Sequence, residues 1–135
     1  MSTAEQYQVL STPAVYVDGE LIKVVANSVK QPEPGERTIT AVSAGGGSVD
    51  HVVGVDASTL KGRVTFALMV TGENVEKVEG WVDKANNHEP VTISIVSAAR
   101  TSSYARMWLQ GEPEYSYEAE GQVELTFEGS RPAHA

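Results

Sequence analysis

The chain has 135 residues, no cysteine, and 18 acidic against 10 basic side chains, for a formal charge of −8. That length suits one domain with a real core, and the missing cysteines exclude a disulfide framework, a thiolate metal site and a cysteine nucleophile. The acidic balance argues against tight nucleic-acid binding, which needs Lys and Arg on phosphates.

Along the chain, MSTAEQYQVLSTPAVYV lacks the basic start and apolar run of a secretory signal. No stretch approaches the ~18 continuous apolar residues of a membrane span. Asp18-Gly19 lies between two alternating runs, and this dipeptide tolerates the positive φ angles of a type I′ turn. Residues 14–17 and 20–29 are therefore expected to pair. Pro32, Pro34 and Gly35 make 30–36 a loop. Strands follow at 37–43 and 48–57, a long hairpin whose tip holds Gly45, Gly46 and Gly47.

GRVTFALMVT sets Val64, Phe66, Leu68 and Val70 on one side, the pattern of a half-buried strand. The period then changes. Val75, Val78, Val82 and Ala85 recur at helical spacing with Trp81 on the flank, predicting one amphipathic helix over about 74–86. Asn74 is its expected N-cap, and Asn86 and Asn87 are expected to end it in the left-handed region. Val75, Val78, Trp81 and Val82 are expected to pack it onto the body. Gly80 costs about 1 kcal/mol there relative to alanine.

Strands return at 91–98, 104–110, 114–119 and 122–129. Odd positions are apolar (Ala105, Met107, Leu109, Tyr115, Tyr117, Ala119, Val123, Leu125, Phe127), and Glu112, Glu114, Glu118, Glu120, Glu124 and Glu128 fill even ones. One face is then buried and the other acidic. The tail GSRPAHA has no core residues and is expected to be a mobile or docking end. The sum is a mainly β fold, a twisted β-sandwich or small β-barrel of about eight strands with one short helix.

Chemical motifs are few. The glycine run lacks the Lys and Ser/Thr of a P-loop and precedes a β-like run, so Gly47-Ser48 begins no phosphate-binding helix. His51, His88 and His134 show no metal-ligand spacing, and His134 is expected to be disordered. No serine sits in a nucleophile elbow. The 112–120 carboxylates do not follow a calcium-loop order and read as a solvated strand face. Trp108, Tyr115 and Tyr117 could stack on sugars, but the two tyrosines share the apolar parity and are expected in the core. Arg100 and Arg106 beside Tyr104 are too sparse for a nucleic-acid platform. No enzymatic activity, metal or cofactor is expected.

The order of three passages is more telling. VYVDGELIKVVANSVKQPEPGERTITAV, then GRVTFALMVTGENVEKVEGWVDKANN, then EGQVELTFEGSRP resembles the tail tube proteins of tailed bacteriophages over about residues 13–132. Type VI secretion tubes and the tubes of phage-tail-like bacteriocins share that fold. The resemblance implies a virion structural protein, assembled in the host cytoplasm without membrane anchoring. Such subunits form hexameric rings, trimeric in some relatives with duplicated domains, and the rings stack around a lumen that passes DNA. Sheath, baseplate or tail-tip and tape-measure proteins are the implied partners beside the chain itself. On this basis Pro32, Pro34, Gly35, Gly45, Gly46, Gly47 and Ser48 are candidates for inter-subunit arms, with the N-terminal residues 1–12 and the tail beside them. Asp50 and Asp56 are candidates for the lumen wall. A carbohydrate-binding β-sandwich, or a small hydrolase using His51, are readings from other classes.

Overall fold

The computed structural model describes residues 13–43, 46–47, 49–56 and 61–134. Asp18 and Gly19 take φ of 51° and 81°, the tight turn that joins β1 (Ala14–Val17) to β2 (Glu20–Ile22). The remaining strands are β3 (Glu36–Ser43), β4 (Val49–Asp56), β5 (Gly62–Met69), β6 (Val91–Val96), β7 (Thr101–Gln110), β8 (Gln122–Gly129) and β9 (Ala133–His134). One helix, α1 (Gly72–Asn86), stands between β5 and β6.

One antiparallel sheet runs β2-β1-β6-β7-β8-β5, with β9 added beside β7. Its ladder does not close, yet its two edges are laced together. After Ile22 the chain leaves β1 and turns to β5: Val25 N donates to Ala67 O (2.8 Å), Lys30 N to Thr65 O (2.7 Å), and Thr65 N back to Lys30 O (2.9 Å). Ala67 N donates to Ser28 Oγ at 3.1 Å. This detour leaves β2 three residues long in place of the expected run to 29, and within it Asn27 takes a left-handed φ of 62°.

The inner face holds Val15, Val17, Val64, Phe66, Leu68, Ile93, Tyr104, Met107, Leu125 and Phe127, all almost wholly buried. Alternation supplies most of this face directly. Helix α1 covers it with Val78 and Trp81, while Val82 and Ala85 pack at the margin and Val75 is half-buried. Trp81 meets Phe66 and Phe127 edge-on (6.4 Å at 87° and 5.6 Å at 77°), and those two rings stack at 5.6 Å.

The helix begins two residues before the expected start. Thr71, not Asn74, is the N-cap: it is extended (φ −128°, ψ 161°), and its hydroxyl accepts from Asn74 N at 3.2 Å. Asn74 instead donates through Nδ2 to Met69 O at 2.9 Å, tying the first turn to the end of β5. At the other end the left-handed residue is His88 (φ 59°), not an asparagine. Glu89 N reaches back to Lys84 O and His88 N to Ala85 O, the paired bonds of a Schellman ending.

Two parity expectations fail. In β7, Ile93 is opposite Tyr104 while Val91 is opposite Met107, so three residue steps on β7 span two on β6. This bulge at Ala105-Arg106 turns both outward, and inward parity passes from even (Ser102, Tyr104) to odd (Met107, Leu109). Residues 114–119 form no strand: Gly111 (φ 71°) and Glu120 (φ 62°) turn the chain, leaving Tyr115 half-buried and Tyr117 81% exposed. The tail is docked. Ser130 N donates to Arg106 O at 2.9 Å, and β9 pairs Ala133 with Ser103 and His134 with Ser102.

Candidate assembly surface

β3 and β4 form a two-stranded sheet of their own, in register from Glu36↔Asp56 to Ser43↔Val49. Among the described residues neither strand joins the main sheet. Gly46 and Gly47 lie exposed at the tip with φ of 68° and 83°, values that a β-carbon disfavours. Gly45 and Ser48 fall outside the described residues. Asp50 is opposite Val42, and Asp56 is opposite Glu36. Strand alternation puts these four positions on one ribbon face and Ala41, His51 and Val53 on the other. Ala41 and His51 are exposed, and Val53 is 62% exposed.

The base of the ribbon is fastened to the body. Pro32 is exposed, Pro34 half-buried, and Gly35 buried at φ 92°. Between the prolines, Glu33 pairs with Arg100 at 2.7 Å and stands 3.9 Å from His134 Nε2. His134 Nδ1 lies 2.8 Å from the fully buried Ser102 hydroxyl. Loop, β7 and tail thus meet in one polar cluster.

Ser102, His134 and Glu33 have the composition of a hydrolytic set, but the serine hydroxyl is buried under the tail. In this arrangement it meets no substrate from solvent, and the histidine satisfies a buried polar group. Among the described residues no group of three His, Asp or Glu is placed to hold a metal ion. No helix among them is long and apolar enough to cross a membrane.

The structure therefore brings Pro32, Pro34 and Gly35 to the ribbon's root and Gly46 and Gly47 to its tip. Asp50 and Asp56 are on β4 between the two. His51 stands on the ribbon, far along the chain from the Ser102 cluster. Nothing in the sequence marks the Ser102–His134 contact, because it depends on the β7 bulge and the reversal after Gly129. A side chain on Gly129 would run into Arg106 O, so this crossing requires glycine. The chain matches no protein-family model, and no curated protein matches it.

Proposed function

We propose that the chain is a structural subunit that polymerises through its β3–β4 ribbon into stacked rings, as the tail tube of a phage or of a related phage-tail-like particle. One observation carries this reading. The ribbon is eight residue pairs long, and among the described residues its outer edges have no strand beside them. Long unpaired edges invite pairing with another chain. A body sheet already sealed by residues 24–30 has little internal use for such a ribbon.

Charge supports the same reading. A formal −8 per subunit suits a conduit that lets DNA slide, since acidic walls repel phosphate. In the assembled tube Asp50 and Asp56 face the lumen, and Gly45 to Ser48 reach an adjoining subunit. The 30–35 loop and the tail meet the next ring. The test is negative-stain electron microscopy of concentrated, aged protein beside a size-exclusion profile. Rings or hollow tubes with a central channel are expected. A protein that stays monomeric in both, even when seeded with a tail-tip preparation, would count against polymerisation.

A further inference from the structure

Residues 111–121 display a feature that the fold does not use. Tyr117 is 81% exposed, and its ring lies 6.2 Å from that of Tyr115, tilted by 33°. Beside this pair are two adjoining depressions of about 410 and 420 Å³ that share Glu112 and Tyr115. One runs under helix α1 over Val82 and Pro113, the other toward β8. Every charged residue lining either one is acidic: Glu79, Asp83, Glu112, Glu114 and Glu124.

Backbone hydrogen bonds shape the end of this loop. Val70 N donates to Gly121 O (3.0 Å) and Gly121 N to Glu118 O (2.9 Å). A side chain at Gly121 would strike Ser116 O. The two tyrosines are therefore carried on a backbone segment with a defined turn.

We propose that Tyr115, Tyr117 and the surrounding carboxylates form a docking site for the cationic side chains of a basic segment on a partner protein. An exposed aromatic face attracts a guanidinium or ammonium through its quadrupole, and five clustered carboxylates supply a field that a cation relieves. Nucleic acid would be repelled there. A neutral sugar would stack on the rings but leave the carboxylates uncompensated. The site belongs to the monomer and does not rest on tube assembly.

The test is calorimetric titration of the full chain with a blocked tetra-arginine peptide at about 0.15 M salt, with tyrosine ring signals followed by NMR. Saturable one-to-one binding that shifts Tyr115 and Tyr117 is expected. Tyr117→Ala should weaken it about 3- to 30-fold, and Glu112→Gln should weaken it more than Glu89→Gln, an equal charge loss outside both depressions. Three results would overturn the proposal: no binding, equal losses for Glu112→Gln and Glu89→Gln with Tyr117→Ala unchanged, or tyrosine-dependent binding of a neutral cello-oligosaccharide in place of the peptide.

Discussion

Asp18 shows how much one residue can hold together. Its left-handed backbone makes the β1–β2 turn, and its carboxylate accepts from Thr92 N (2.9 Å) and Lys84 Nζ (2.8 Å). Desolvation pushes its pKa up, but the hydrogen bonds from Lys84 and Thr92 and the Lys84 charge outweigh it, and the net direction is down from 3.8. Lys84 moves up from 10.5, chiefly through its hydrogen bond to Asp18. A carboxylate with a lowered folded-state pKa contributes stability above its unfolded value and loses it as pH falls through the folded one. The pair is solvent-exposed, so its contribution is screened to about 0.2–1 kcal/mol. Asp18→Asn keeps an acceptor for Thr92 and removes the charge. Its stability deficit in urea should be present at neutral pH and vanish as pH falls through the lowered folded-state pKa of Asp18. A deficit that persists unchanged into acid would show that the charge does not matter.

Elements tell more about what a sequence can disclose. The Asp-Gly turn, the helix and the inner faces of β5 and β8 follow from local chemistry and alternation, and each was legible. Boundaries that depend on distant partners were not. Thr71 caps the helix through its hydroxyl, while the Asn74 side chain is taken up by Met69 O at the end of β5. Parity failed in β7 because a bulge depends on Gly129 lying against Arg106 O. Tyr115 and Tyr117 looked like core because a loop can alternate as regularly as a strand. Of the candidate assembly surface, the glycine tip and the proline-rich root were legible, while the Glu33–Arg100 and Ser102–His134 clasps were not.

Helix α1 offers a sharp test of its role as cover for the sheet. Trp81→Ala removes the ring that meets the stacked Phe66 and Phe127 edge-on and should cost about 3–5 kcal/mol, a large share of an ordinary domain's stability. Next to it, Gly80 faces open space in the helix. Gly80→Ala should gain up to about 1 kcal/mol. Urea midpoints that move in the same direction for both variants would refute this packing.

At the scale of the whole molecule, the proposed tube subunit divides stability from assembly: the body supplies the first, and the ribbon, whose outer edges have no strand beside them among the described residues, supplies the second. Deleting Gly45 through Gly47 should leave the circular dichroism and melting temperature of the body nearly unchanged, while rings and tubes disappear. A collapse of the body would mean that the ribbon is part of the folding unit. The charge of the lumen wall can be tested separately once tubes exist. Glu36, Asp50 and Asp56 share one ribbon face by register, and that face turned to the lumen would repel a sliding duplex. Asp50→Lys with Asp56→Lys replaces this repulsion by phosphate contacts, whose strength falls steeply with salt. Tubes of the double variant should therefore retain duplex DNA at about 50 mM salt and release it near 200 mM, whereas wild-type tubes retain none at either. Retention can be read from the DNA that co-sediments with the tubes after nuclease treatment. Equal, negligible retention by both tubes would move Asp50 and Asp56 off the lumen wall while leaving polymerisation through the ribbon intact.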